Sequence, residues 1–256
     1  MTYEIVYAFN GFQWLWRQLL LSMTSLSRFV KDNITVFYAP PRFKEHIEWL
    51  EPRCDLRLVE APLNSPEFRA KRVYFRNRYW GHNMKLHAYT VKTPVMINLD
   101  CDTVVHGNIL EVLEGDYDLL VAEWLHPSSK TLMAANCEKL GLPTWPLMMD
   151  GFVVFKNYAH LKFRPIYEEY LRMVALGEVK PHDSVHLGVH AFNLAVNHFR
   201  REGFKVVRMP RDFHVFTREY AGAKYVTHIP DMNYATWEEK KLFSEELHKL
   251  KMVGAR

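Results

Sequence analysis

Between residues 3 and 62 the chain switches regularly between two kinds of segment, and this alternation is the strongest constraint on its fold. "YEIVYAF" (3–9), "NITVFYAP" (33–40) and "DLRLVEAP" (55–62) are rich in β-branched and aromatic residues and read as strands. "WLWRQLLLSMTSLSRFV" (14–30) and "RFKEHIEWL" (42–50) lie between them and have helical character. Such alternation marks a parallel sheet with crossover helices. "PVMINL" (94–99) continues it as a buried strand, bounded by Pro94 and lacking polar alternation until Asn98. Downstream, "ILEVLEG" (109–115) predicts a short helix, "DLLVAEW" (118–124) and "GFVVFKN" (151–157) strands, and 160–176 and 189–200 helices. "FKVVRMP" (204–210) and "AKYVTHI" (223–229) are late strands. The expected class is α/β, a single Rossmann-like domain with a mostly parallel central sheet flanked by helices.

Composition narrows the partners. A net charge of +4 over 256 residues is mild, so no nucleic-acid partner is expected. Cys54, Cys101 and Cys137 are far apart and form no C-x-x-C pair, so neither a zinc knuckle nor a disulfide framework is indicated, and a reducing compartment fits best. "MTYEIVYAFNGF" lacks the basic start and apolar run of a signal peptide, and no stretch approaches the roughly 20 apolar residues of a membrane span. A cytoplasmic protein is expected. No repeat, low-complexity tract or Gly/Ser linker divides the chain.

The strand at 94–99 runs into two aspartates one residue apart, Asp100 and Asp102. Strand residues i and i+2 share a side, so strand geometry carried through this point turns both carboxylates the same way. Close carboxylates repel, and a divalent cation with oxygen ligands is the usual compensation. Ligands of doubly wound sheets bind beyond the carboxyl ends of strands, where this pair sits. Three readings fit. Asp102 or Thr103 can cap the following helix. "LDCDTV" also fits the D-x-D-x-T/V of haloacid dehalogenase-like phosphatases, with Asp100 as nucleophile and Asp102 as general acid/base. Or the pair holds the Mn²⁺ or Mg²⁺ of a glycosyltransferase, hard ions that prefer carboxylates. The phosphatase motif normally follows the first strand, whereas three strands precede it here, and "GDYD" (115–118) comes too soon to be its later acidic motif.

The segment "MKLHAYTVKTPVMINLDCDTVVHGNI" (84–109) resembles glycogenin and its relatives in glycosyltransferase family 8, with a K-L pair on a helix, an apolar strand, D-x-D-T and a short helix. "LMMDGFVVFKN" (147–157) is similar to the family's F-N-x-G strand. The resemblance implies one GT-A domain over residues 1–256. It would comprise a nucleotide-binding half (1–109), an acceptor and sugar half (110–235) and a C-terminal amphipathic helix (236–256). It implies metal-dependent transfer of a hexose from a nucleotide-sugar donor, a UDP-sugar favoured, to a saccharide, lipid or protein acceptor, with retention. The departing phosphate would help to deprotonate the acceptor, since no residue stands out as a covalent nucleophile.

By the same resemblance, Asp102 chelates the metal and Asp100 binds the metal or the ribose. His228 in "YVTHIPDMN" is the counterpart of the family's third ligand, although the rest of its H-x-x-G-x-x-K-P-W is missing. Lys85 looks like the family's lysine near the donor, where a cation suits a diphosphate. The family's D-Q pair, whose aspartate faces the donor sugar, is replaced by Gly188 and Val189. Asp150, Asp183 and His190 are the possible substitutes, and the missing pair also supports a domain that binds a nucleotide-sugar without turning it over. Ala8, Phe9 and Asn10 stand where the GT-A fold receives the base.

"RAKRVYFRNRYWGHNMK" (69–85) interleaves cations with aromatics and leads into this region, with Arg76 and Arg78 as donor-binding candidates. In the last segment Thr236 and Glu239 form a capping-box pattern, and Phe243, Leu247 and Leu250 make an apolar stripe among lysines. The stripe suits docking on the domain's own core. Peripheral contact with an anionic membrane is the other use of such a helix.

Overall fold

A computed structural model of the chain describes residues 2–9, 13–39, 56–60, 84–124, 130–180, 187–216 and 223–229, with helical positions 241, 244, 245 and 248 beyond them. Asn10, Arg76, Arg78 and Asp183 lie outside the described residues, as do the 42–50 segment and the apolar stripe of the C-terminal segment.

Seven strands form the central sheet, in the spatial order β3-β2-β1-β4-β7-β6-β8. β1 (Tyr3–Phe9), β2 (Ile34–Tyr38), β3 (Leu56–Glu60) and β4 (Val95–Leu99) run parallel, with Ile5 opposite Ile34 and Tyr3 opposite Val95. β6 (Leu119–Glu123) and β8 (Val206–Arg208) share that direction, while β7 (Met148–Phe155) runs against its neighbours β4 and β6. The sheet is therefore mostly parallel with one reversed strand, as an α/β chain with the alternation above should be. Every residue of β4 is buried, as is every residue of β7. That explains the absent polar alternation in "PVMINL": a strand covered on both faces has no solvent side to mark.

The helices are α1 (Gln13–Leu26), α2 (Lys130–Lys139), α3 (Ala159–Leu176) and α4 (Leu187–Arg201). α3 and α4 pack on each other through Phe163, Tyr167, Phe192 and Phe199, whose ring centroids lie 5.4 to 6.0 Å apart. Tyr89 and Phe155 join this aromatic layer from the sheet side. Edge-on and tilted rings of this kind suit the aromatic quadrupole and contribute beyond their buried area. No helix among the described residues is long and apolar enough to cross a membrane.

Three details differ from the sequence expectation. β7 begins at Met148, three residues before the expected Gly151, because the Asn193 side chain completes the edge of the strand there: its Oδ1 accepts from Met148 N at 2.6 Å and its Nδ2 donates to Met148 O at 2.9 Å. Asp150 and Gly151 thereby become strand residues. The short helix at 109–115 is a 3₁₀ turn, Ile109–Glu114, capped by the Asn108 side chain. Finally, β5 (Thr103–Val105), β9 (His214–Phe216) and β10 (Val226–His228) make a second small sheet in the order β5-β10-β9. This small sheet positions the site.

Candidate active site

The apolar strand β4 stops at Leu99, and the chain turns through Cys101 and Asp102 before β5 starts at Thr103. Asp100 and Asp102 thus occupy a turn and not a continuing strand, so strand alternation is not what brings them together. Hydrogen bonds hold the turn instead. Thr103 Oγ1 donates to Asp100 O at 2.7 Å, so Thr103 must accept from Ser22 Oγ at 2.9 Å, and Ser22 must in turn accept from the Tyr7 hydroxyl at 3.0 Å. Each hydroxyl has one proton, which makes this chain run one way. A second serine of α1, Ser25, accepts from Val105 N at 2.9 Å and donates to Ser22 O at 2.7 Å. From the other side, Asp100 N donates to Gly151 O at 2.8 Å and Ile229 N to Asp102 O at 2.7 Å. The two aspartates are fixed by β1, α1, β7 and the segment after β10 together.

His228 reaches the turn because β10 pairs antiparallel with β5, placing His228 opposite Thr103. Its Nε2–H donates to Asp102 Oδ2 at 3.2 Å. One ligand atom each from Asp100, Asp102 and His228 lies within 4.8 Å of the others. Two carboxylates and one imidazole are a donor set for a hard divalent ion, and a triad this tight can close around one. Gly151 makes room for it. A Cβ there would stand 2.5 Å from His228 Nδ1 and 2.8 Å from its Cε1, a clash with a ring the strand pairing cannot release. We expect Gly151→Ala to push His228 off the turn and weaken Mn²⁺ binding by at least the roughly 10- to 100-fold seen when a ligand loses its support. Calorimetric titration with Mn²⁺ measures it, and unchanged affinity would show that His228 is not a ligand.

Lys85, in the helical stretch 84–88, is the buried cation of the site. Its ammonium lies 2.7 Å from Asp100 Oδ1 and 2.8 Å from Asp150 Oδ2, and it donates also to Asp150 O at 3.3 Å. Asn98 Nδ2 donates to the same carbonyl at 3.2 Å. The lysine expected beside a diphosphate is thus held by two carboxylates of its own chain. Burial works against its charge, but Asp100 and Asp150 outweigh that and raise its pKa well above the ordinary value. Asp100 fares differently. Burial, with the charges of Asp150 and Asp102, pushes its pKa up to about 6, because it shares one ammonium with another carboxylate. For His228, burial is again opposed and outweighed, here by Asp102 and then Asp100 and Asp150, and its pKa rises to about 9.

The remaining candidates separate. Asp150 stands at the triad, buried against Lys85. His190 is engaged on α4, where its Nε2 accepts from Asn136 Nδ2 at 2.9 Å while Asn136 also donates to Lys180 O. Gly188 and Val189 fall in the first turn of α4. Ala8 O accepts from Cys101 Sγ at 3.4 Å, tying the end of β1 to the aspartate turn. The Phe9 ring is 0% exposed and packs edge-on to Trp16 at 6.4 Å.

No protein-family model matches the sequence, and no curated protein matches it. Solved structures do. An active-site mutant of LgtC, a galactosyltransferase, superposes with a TM-score of 0.66 at 12% identity, over 97% of this chain and 96% of that one. The apo form of mouse xyloside xylosyltransferase 1 gives 0.60 at 14% identity, over 91% and 99% of the two chains. The bifunctional glycosyltransferase WbbM gives 0.65 at 13% identity, over 97% of this chain and 49% of that one. The chain has the GT-A fold of these glycosyltransferases. Within that GT-A frame the D-x-D turn follows β4, the fourth strand in sequence. One residue of the neighbourhood had no sequence signal at all. His214, on β9, stacks against His228 with ring centroids 5.7 Å apart. A lone histidine 14 positions from another has no helical or strand spacing to announce it.

Proposed function

We propose that the protein is a metal-dependent glycosyltransferase that moves a hexose from a nucleotide-sugar, a UDP-sugar favoured, to an acceptor with retention of configuration. The observation that carries this is the triad of Asp100, Asp102 and His228, its ligand atoms within 4.8 Å, at the carboxyl end of a central strand of a GT-A fold. Mn²⁺ or Mg²⁺ held there supplies Lewis-acid stabilisation of the charge that grows on the departing diphosphate. The chain's own residues prepare the place: Lys85 offsets Asp100 and Asp150, and the Tyr7–Ser22–Thr103 chain holds the turn. Asp150 is the residue we assign to the sugar side, since it is the one of the three candidates there that the described residues place beside the triad. The phosphatase reading loses support because the motif follows the fourth strand of a fold shared with glycosyltransferases.

Thermal shifts with UDP, GDP, CDP and ADP, each with and without Mn²⁺, test the donor site. A nucleotide at about 100 times its dissociation constant adds roughly 2.7 kcal/mol, a rise of several degrees for a chain of this size. The proposal expects one nucleotide to stabilise only with Mn²⁺, and its sugar to be slowly hydrolysed with release of the nucleoside diphosphate. Stabilisation without release favours a binding domain. Phosphate release from a generic phosphomonoester with no nucleotide effect sinks the proposal.

Protons should compete with the metal. His228 holds a proton up to about pH 9 and Asp100 up to about pH 6, and each must be shed to offer a lone pair. Mn²⁺ affinity should therefore rise about tenfold per pH unit between roughly 6 and 9, more steeply below 6, and level off above 9. The sign for the metal-free fold is opposite: with its pKa raised from 6.5 to about 9, His228 contributes stability that is complete below 6.5 and lost as pH rises through 9. Titrations in buffers of different ionisation enthalpy count the released protons, and a flat affinity from pH 6 to 9 would contradict the ligand role of His228.

A further inference from the structure

His214 has no part in the chemistry above, yet its placement is unusual. It is 2% exposed, and neither ring nitrogen has a hydrogen-bond partner among the described residues. A buried imidazole with unbonded nitrogens is a cost, and such groups in a folded protein call for a reason. Its contacts supply one. β9 and β10 run parallel with Val226 opposite His214 and His228 opposite Phe216, so His214 and His228 are diagonal neighbours two positions apart and share a side. Their rings lie 21° from parallel at 5.7 Å, an offset stack, and Phe152 meets His214 edge-on at 6.0 Å. Gly151 adjoins both: a Cβ there would be 2.5 Å from His228 and 3.3 Å from His214 Cε1. His228 is therefore confined between a glycine that must stay bare and a flat ring. Burial, then the charge of His228, keeps His214 well below the ordinary imidazole pKa, so this wall is neutral.

We propose that His214 is a positioning residue: its ring face, with Gly151, holds His228 in the one orientation that turns Nε2 to Asp102 and so to the metal. This rests on the metal reading of the triad, but its first consequence, the orientation of His228, does not need metal. An aliphatic side chain of similar volume fills the space without the flat face, so His214→Leu separates positioning from packing, and His214→Phe restores a plane. Nitrogen-detected NMR of the imidazoles in metal-free protein reads the His228 tautomer, and calorimetry reads Mn²⁺ affinity. Above about pH 9, where His228 sheds its second ring proton, wild type should show a single tautomer with the proton on Nε2. In His214→Leu that signal should become an average of states and the Mn²⁺ dissociation constant should rise roughly 10- to 100-fold, with little change in the metal-free Tm. His214→Phe should keep the single state and most of the affinity. A wild-type His228 signal in the leucine variant, or a phenylalanine variant no better than leucine, overturns the proposal. If wild type itself binds no Mn²⁺, the proposed function fails, and the metal-free His228 signals still decide the role of His214.

Discussion

Asp102→Asn should abolish the Mn²⁺-dependent stabilisation by nucleotide and lower kcat/KM for sugar transfer by on the order of a thousandfold. The size follows from the chemistry. A bound divalent ion supplies several kcal/mol of charge stabilisation, and each 1.36 kcal/mol is about tenfold in rate. Asparagine keeps the shape and an oxygen that can still accept from His228 Nε2, now 3.2 Å away. The Asp102 backbone carbonyl also keeps its bond from Ile229 N. The variant should therefore fold, with a metal-free Tm below wild type because the His228 imidazolium loses its nearest counter-charge. What changes is charge. With Asp102 neutral, the largest influence raising the His228 pKa is gone, and the triad offers one carboxylate in place of two. Asp116→Asn is the control. Asp116 pairs with Lys205 on the surface, its side chain 90% exposed, and should change nothing measured here. Full nucleotide stabilisation surviving in Asp102→Asn would mean that the metal, or the nucleotide, binds elsewhere.

The sheet was legible in the sequence where its signals are local. β1, β2, β3 and β4 are apolar, β-branched runs, and each lies within two residues of its expected bounds. The D-x-D pair and His228 were legible through family likeness, and the structure brings them together. The rest was hidden for identifiable reasons. β5 and β9 are three residues long, too short to show a period, and β5 is held in place by serines of α1 some 80 residues earlier. β7 hides its start because Met148, Met149, Asp150 and Gly151 alternate nothing, and the side chain that completes its edge, Asn193, is 45 positions away. Its reversal also leaves no mark, since a buried strand reads the same in either direction. Lys85 was expected beside the donor, and its carboxylate partner was not legible: Asp150 lies 65 residues on. Contacts made by topology have no spacing to read.

Lys85→Met decides between those two views of Lys85. If the lysine were chiefly a phosphate ligand, methionine would weaken nucleotide binding and leave the fold alone. The structure predicts the reverse order of effects. The Lys85 side chain is 8% exposed and sits 2.7 Å from Asp100 and 2.8 Å from Asp150, whose side chain is 6% exposed. Removing one partner of a buried ion pair costs about 3–5 kcal/mol, because the other charge is left without compensation. Here two carboxylates are stranded. At roughly 2–4 °C per kcal/mol for a chain near this size, the Tm should fall by about 6–20 °C. Asp100 should respond by taking up a proton. Its pKa is already raised to about 6 with the ammonium beside it, so without that charge it should climb past neutrality and stop serving as a ligand at pH 7. Lys85→Met thus loses Mn²⁺ affinity although lysine never touches the metal. The double variant Lys85→Met/Asp150→Asn removes the surplus charge and keeps the shape of Asp150, whose carbonyl still accepts from Asn98. It should be more stable than Lys85→Met alone, a coupling of more than about 1 kcal/mol in a double-mutant cycle. Strict additivity, or a Tm unchanged by Lys85→Met, would return the lysine to the phosphates.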